Sequence, residues 1–355
     1  MVTALSFRVA LALSTAWRWR TNPGVQGKIV IAGAGSIGCF IGGLLSLGGA
    51  DVVLLARPRI ADELGRHGLT LTSLEGWTEE LAPGALAVET DPATALREAS
   101  LVLVTVKSGA TAEMATLIAA HAPASAAVIS LQNGLANADV LRAALPGRRV
   151  HAGMVSFNVL HRGEGRFHRG TSGPVIVEAG APPLSAPHLD ILQHAEMRAV
   201  LAGKLVYNLN NALNALSGLT LREQLADRRW RRILAAAQDE ALRLFRAEGI
   251  EPWSLGKVPV TRFPAILRLP DFLFRLVSRR GVRIDASARS SMWEDLERGR
   301  RTEIDELQGA VITRAAALDL PTPVNRAIAD AVRAAEAAGA GSPKLLPGDL
   351  AGPLS

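Results

Sequence analysis

In the stretch "GKLVYNLNNALNALSG", Lys204, Asn208 and Asn211 fall at i, i+4 and i+7, so a helix carrying them presents one ammonium and two amides on a single face. Asparagine is a poor helix former, and several amides beside a lysine on an otherwise apolar helix point to a site rather than to a snorkelling surface residue. Such a face can donate a proton and hold a small oxygenated molecule. A second stretch, "SARSSMWEDLERGRRTEIDELQGAVI", carries Ser291 and Glu303 on one long expected helix whose buried stripe is Met292, Leu296, Ile304, Leu307 and Val311. Glu303 is expected to pair with Lys204 and to accept from a substrate hydroxyl; taken alone it is one acid among several in a charged helix.

The chemistry these residues could serve is suggested upstream, in "KIVIAGAGSIGCF". Gly33, Gly35 and Gly38 follow an expected strand and open a helix, the context that turns a glycine pattern into a dinucleotide fingerprint. Gly33 allows the tight turn, Gly35 lets backbone approach a pyrophosphate, and Gly38 permits close helix packing. Ser36 and Ile37 open that helix, whose N-terminus offers positive potential to phosphates. The end of the second strand reads "LLARPR", with no carboxylate for a ribose hydroxyl and with Arg57 in its place. A guanidinium binds a 2′-phosphate in a bidentate way, so the cofactor expected is NADPH/NADP. The competing reading of Arg57 and Arg59 is a pair of solvated loop arginines. Two more strand ends bring Lys107, in "LVLVTVKSG", and Gln132 and Asn133, in "AVISLQNGL", to the same crevice. An ammonium there can reach a phosphate, and an amide can reach the nicotinamide ribose or the substrate.

These residues need a parallel sheet to gather strand ends and helices to face them. Apolar β-branched runs at 28–32, 51–56, 101–106, 126–131 and 149–156 alternate with helical stretches up to about 197. The runs at 69–73 and 165–179, the latter hairpin-like, read as antiparallel additions at the sheet edge. Beyond 198 the strand signals stop, and amphipathic helices are expected over 203–217, 227–248, 287–318 and 324–338. The fold class is therefore α/β, an N-terminal Rossmann-type doubly wound sheet plus a C-terminal all-α domain. The expected divisions are an extension at 1–27, a cofactor domain at 28–197, a helical substrate domain at 198–338 and a flexible tail at 339–355.

With these motifs in view, the chain resembles the 2-dehydropantoate 2-reductases, or ketopantoate reductases. "GAGSIG", "VTVKS", "LQNGL", "GKLVYNLNNALNAL" and "SSMWEDLERGRRTEID" carry the resemblance, which runs from Lys28 to about Ala338. It implies reduction of ketopantoate to pantoate with NADPH, in pantothenate synthesis. It implies Lys204 as the general acid, with Glu303 binding the substrate hydroxyl and orienting Lys204. It assigns Asn133, Asn208 and Ser291 to substrate contact, and Arg57 and Lys107 to the adenosine 2′-phosphate. Two departures stand out. Many members carry a second Asn eight residues after the Lys, where this chain has Ala212 with Asn211 and Asn214 nearby, and one residue of shift turns a helix by about 100°. The stretch 251–285 is long for a helix connection, which suggests a lid, a dimer surface, an altered substrate pocket, or a helix packing on the domain's own core. A paralogue acting on another 2-oxo acid and a non-catalytic NADP sensor are the alternatives; a sensor is disfavoured because both Lys204 and Glu303 are present.

The whole chain sets outer bounds. With 355 residues, 48% of them hydrophobic, it can bury two cores. A net charge of +6 suits an anionic ligand without marking nucleic-acid binding, and the run "DRRWRRIL" is expected to be a solvated helix face. One cysteine, Cys39, excludes a disulfide framework or a cysteine metal cluster within the chain and fits a reducing, cytoplasmic setting. No stable membrane insertion is expected, because arginines interrupt each apolar run. The first 27 residues, apolar with three arginines, read as a loose tail or a targeting segment. The partners expected are a small 2-oxo acid and, as an option, a second copy of the chain.

Overall fold

The computed structural model describes residues 27–256, 258–278 and 288–350. The expected N-terminal extension before Gly27 and the end of the 251–285 stretch lie outside those residues. The first domain runs β1 (Lys28–Ala32), α1 (Ser36–Leu47), β2 (Val52–Leu55), α2 (Pro58–His67), β3 (Leu69–Ser73), β4 (Thr78–Leu81), β5 (Ala87–Glu89), α3 (Pro92–Leu96), β6 (Ala99–Val104), α4 (Thr111–His121), β7 (Ala127–Ser130), α5 (Asn137–Ala144), β8 (Val150–Val155), β9 (Val159–His161), β10 (Arg166–Arg169), β11 (Val175–Glu178) and β12 (Ile191–His194).

The main sheet has the order β12-β11-β8-β7-β6-β1-β2-β5 and is parallel from β8 to β5. Its central strands are buried on both faces, which is why they read as continuous apolar runs rather than as alternating ones. The chain winds outward from β1 toward β5 and then, from β6, toward β8. The switch between those directions lies between β1 and β6, the place where open α/β sheets bind their ligands at the strand ends. The antiparallel addition expected near 175 is present, since β11 pairs antiparallel with β8. The hairpin and the edge position expected for 69–73 are corrected. β10 and β11 belong to different sheets, and β3 joins a separate four-stranded sheet of order β4-β3-β10-β9. That sheet packs over α1, where Phe40 meets the rings of Trp77 and Phe157 at 5.9 and 5.8 Å. Burying α1 on both sides requires this second layer, and local patterning could not tell one sheet from the other.

The second domain contains α6 (Met197–Asn208), α7 (Asn210–Ser217), α8 (Leu221–Ala226), α9 (Arg228–Ala247), α10 (Phe263–Leu267), α11 (Asp271–Ser278), α12 (Ser291–Glu297), α13 (Ala310–Ala316) and α14 (Pro323–Ala338). α9 is the axis of its core, burying Trp230, Ile233, Leu234, Ala237, Ala241, Leu244 and Phe245 at helical spacing. Each large side chain so buried contributes about 1.5–3 kcal/mol. The expected solvated face at "DRRWRRIL" is half wrong: Arg228, Arg229 and Arg232 are exposed, but Trp230 and Arg231 are buried. Arg231 donates to the carbonyls of Leu225, Ala226, Leu267 and Leu269 and pairs with Asp271 at 2.7 Å. The described part of the 251–285 stretch thus packs on the domain's own core, with Val260 and Leu267 buried and Phe263 edge-on to Tyr207. α11 leaves Phe272 and Leu276 exposed.

The helix expected over 287–318 is broken. Gly299, at φ +59°, follows α12, the Gly299 N–H donates to Leu296 and the Arg300 N–H to Asp295, the bond pattern of a Schellman stop. The chain resumes with one π-helical turn, Asp305–Gly309, that leads into α13. The tail is also corrected up to Leu350: Ser342 and Leu345 bond to the carbonyls of Ala215 and Leu216, and Leu350 is buried. Among the described residues no helix is long and apolar enough to cross a membrane.

Candidate active site

The glycine turn sits between β1 and α1 against the end of β6. Gly33 has φ +116°, and a Cβ there would lie 2.7 Å from Val106 Cγ1 and from the Val106 backbone nitrogen. Thr105 fixes the turn by donating its hydroxyl to the Gly33 carbonyl at 2.7 Å. A Cβ at Gly38 would collide with the same carbonyl, whereas a Cβ at Gly35 would meet nothing within 4 Å. Space above Gly35 is therefore open to a phosphate. The N-terminus of α1 has no side-chain cap, leaving the N–H groups at Ser36 and Ile37 facing that space. Arg57, at the N-cap of α2 just past β2, is exposed and has no ion pair or hydrogen-bonded side-chain partner among the described residues. Arg59 is engaged, 3.8 Å from Glu63. The residues present fit a phosphorylated dinucleotide.

Asn133 joins the two domains. It follows β7, and its loop turns at Gly134, whose φ of +94° excludes a bulkier residue without strain. Its amide donates to Glu303 Oε2 at 2.9 Å, and its carbonyl oxygen accepts from Asn208 Nδ2 at 3.3 Å. A buried network holds the loop. Asn137 donates to the Asn133 carbonyl and to Ser108 Oγ, Thr111 donates to Asn137, and Gln132 donates to Thr111 and to the Val106 carbonyl. Gln132, a candidate ligand by position, is consumed by this framework.

Lys204 stands one turn before Asn208 on α6, so its ammonium shares the face that meets Asn133. Nζ donates to the Ser156 carbonyl at 3.2 Å. The expected Lys204–Glu303 ion pair is absent among the described residues; Glu303 accepts from Asn133 instead. Without a carboxylate partner, burial pushes the Lys204 pKa down to about 8. Burial also raises the Glu303 pKa, while the Asn133 N–H opposes that shift. A half-buried lysine and a half-buried acid with displaced pKa values, both beside the loop after β7, are candidates for acid–base chemistry.

The remaining candidates divide. Asn211 is half-buried on α7, past a one-residue turn at Leu209, and contributes its backbone carbonyl to Ser290 Oγ. Ala212 is wholly buried in the helical core, so the position eight residues after Lys204 does not face the crevice. Ser291 is exposed in the first turn of α12, where its neighbour Ser290 caps the helix by accepting from the Trp293 N–H. Lys107 does not stand free for a phosphate: Nζ lies 2.6 Å from Asp295 Oδ1 and donates to the Arg301 carbonyl at 3.0 Å. Sequence reading missed the Ser156 carbonyl, Asn137 and Asp295. A backbone acceptor leaves no residue-type signal, and the other two act only through partners distant in sequence.

Comparison with known proteins agrees with this geometry. Residues 29–182 match the family model described as "Ketopantoate reductase PanE/ApbA", and residues 196–336 match its C-terminal companion. A 2-dehydropantoate 2-reductase of Halobacterium salinarum is 31% identical over 324 residues, covering 87% of this chain and 99% of that protein. The crystal structure of a PanE/ApbA family ketopantoate reductase from Ralstonia eutropha JMP134 superposes with TM-score 0.73 at 28% identity, covering 88% of this chain and 99% of that one. A D-mandelate dehydrogenase complexed with NADH and anilino(oxo)acetate has TM-score 0.72 at 20% identity, over 88% and 99% of the two chains, and shares the fold. With both domains matched in order and the crevice built at their junction, this chain belongs to the ketopantoate reductase family, NADPH-dependent oxidoreductases that act on a CH–OH group.

Proposed function

We propose that this chain reduces 2-dehydropantoate to pantoate with NADPH, as a step toward pantothenate. The observation that carries the reading is the Asn133 bridge: one side chain from the cofactor domain binds Glu303 and Asn208 of the helical domain, one helical turn from Lys204. NADPH, when bound, supplies the hydride to the keto carbon. Gly33, Gly35, Ser36, Ile37 and Gly38 would hold its pyrophosphate, and Arg57 its 2′-phosphate. Lys204 holds the proton that the keto oxygen requires as it gains negative charge, and gives it up readily because burial has weakened its hold. Glu303 and Asn208 receive the substrate hydroxyl, and Asn133 fixes both so that little ordering remains to be done on binding. A desolvated crevice strengthens each of these contacts. The resemblance supports a substrate-contact role for Ser291 as well, and a cytoplasmic, reducing setting suits the buried Cys39 thiol.

One observation favours a second reading, a reductase of a different 2-oxo acid. Ala212 is buried and leaves the hydroxyl contact to Asn208 and Glu303 alone. The experiment is NADPH oxidation with ketopantoate and with 2-oxoisovalerate, which lacks the hydroxyl, for the wild-type chain and Lys204→Ala. Fast turnover of ketopantoate only, lost in the variant, supports the first reading. Equal or better turnover of the hydroxyl-free acid supports the second, and tight NADPH binding without turnover of any 2-oxo acid overturns both.

A further inference from the structure

We infer that Gln308 is a positioning residue: it ties the turn that carries Glu303 to the end of α6 that carries Asn208, so that both face Asn133, and a substrate hydroxyl, as one unit. This rests on the reductase reading above. Glu303 and Asn208 come from separate elements, and the side chain that joins them in front is Asn133, which bonds to both. Behind them, Gln308 Nε2 donates to the Leu209 carbonyl at 2.8 Å. Leu209 is the one residue between α6 and α7, directly after Asn208. The π-helical turn suits this tie. The Gly309 N–H donates to the Ile304 carbonyl, five residues back, at 2.9 Å. In a regular α-helix residues three or four apart share a face. Here Glu303 and Gln308, five apart, both serve the end of α6, one through Asn133 and one directly, and single π turns are frequent at functional sites. The same turn rests on the Asn133 loop, since a Cβ at Gly134 would lie 3.4 Å from Glu306 Cβ. Gln308 is wholly buried, and its Oε1 has no hydrogen-bond partner among the described residues. Burying an amide with that oxygen unmet costs more than burying an apolar side chain of its size, so packing alone does not account for it. Out of reach of the substrate, Gln308 acts through Glu303 and Asn208.

The test compares the full chain with Gln308→Met, which keeps the volume and removes the donor, and with Gln308→Glu, which keeps the shape but donates to Leu209 only when protonated. Asn208→Ala and the Gln308→Met/Asn208→Ala double variant complete the set. The readout is the ratio of kcat/KM for ketopantoate to that for 2-oxoisovalerate, because only the hydroxylated acid would use Glu303 and Asn208. Loss of one buried hydrogen bond is expected to lower that ratio about fivefold in Gln308→Met, mostly through KM for ketopantoate, with the NADPH dissociation constant unmoved. Added to Asn208→Ala, the same change should lower the ratio little further. In Gln308→Glu the ratio, taken relative to wild type, should recover as pH falls. An unchanged ratio in Gln308→Met, equal losses for both acids with a lower Tm, or losses that multiply in the double variant would overturn the inference and leave Gln308 a packing residue. If Gln308→Met does not fold, recovery or its absence in Gln308→Glu decides. Failure of the reductase reading looks different: wild type would then reduce neither acid, or show no preference for ketopantoate. The crystal structure of Gln308→Met (or of Gln308→Glu) settles the inference in that case. The Asn133 contacts to Glu303 and Asn208, 2.9 and 3.3 Å in the native chain, are expected to open beyond hydrogen-bond range, and an unchanged pair counts against the inference.

Discussion

At the scale of the residue, Lys204 carries opposite demands of stability and chemistry. Its pKa of about 8 in the folded chain lies below the ordinary 10.5, so the unfolded chain binds the extra proton between those values. Stability contributed by this group therefore rises with pH across that window, and below it the buried ammonium costs roughly 3 kcal/mol. Lys204→Met should raise or preserve the urea midpoint at pH 7 while lowering kcat by about 10²–10⁴-fold. An inactive and equally destabilised variant would show that Lys204 serves packing instead. The proposed role of Lys204 as proton donor predicts that kcat declines as pH rises through about 8, a limb that should vanish from the residual activity of the Met variant. Arg57→Ala tests the open end of β2. A charge-assisted contact to a 2′-phosphate is worth about 1.5–3 kcal/mol, so KM for NADPH should rise roughly 10- to 100-fold with KM for NADH unmoved.

At the scale of the element, two devices set the site, and each exposes a limit of pattern reading. The glycine turn was legible because strand, glycines and helix are contiguous in sequence. Gly33→Ala should forfeit cofactor binding, since both its φ of +116° and the Val106 backbone oppose a Cβ; an intact dissociation constant for NADPH in fluorescence titration would contradict this. The 287–318 helix was misread because its apolar stripe continues through the break. Only Gly299 and the Asp295 carbonyl bond to Arg300 end α12, and a glycine inside a helical pattern does not announce which. Arg231 was misread for the opposite reason. An arginine run is normally solvated, but here the guanidinium of Arg231 turns inward to donate to the carbonyls of Leu267 and Leu269. Arg231→Ala leaves its carbonyl partners without that donor and should destabilise the helical domain by about 1–3 kcal/mol, seen as a lower thermal midpoint and faster proteolysis around α10.

At the scale of the whole molecule, function depends on a junction. In the proposed site the cofactor domain supplies Gly33, Arg57 and Asn133 and the helical domain supplies Lys204, Asn208 and Glu303, so that neither half would hold a complete site. Asn133→Ala removes the two cross-domain bonds of its side chain and leaves the half-buried Glu303 without that donor, so it should reduce kcat/KM for the 2-oxo acid by about two orders of magnitude while NADPH binding persists. Loss of NADPH binding in that variant would place Asn133 in the cofactor site alone. The sequence by itself determined the alternating sheet, the glycine fingerprint, the absence of an acid after β2 and the amide-rich face around Lys204, because each is written over a few consecutive residues whose spacing fixes their geometry. Tertiary structure alone decided that Glu303 meets Asn133 rather than Lys204, that Lys107 crosses to Asp295, that β3 and β10 leave the main sheet and that Arg231 is buried. Those outcomes depend on which groups far apart in the chain compete for one partner, and residue spacing along a chain does not rank such competitors.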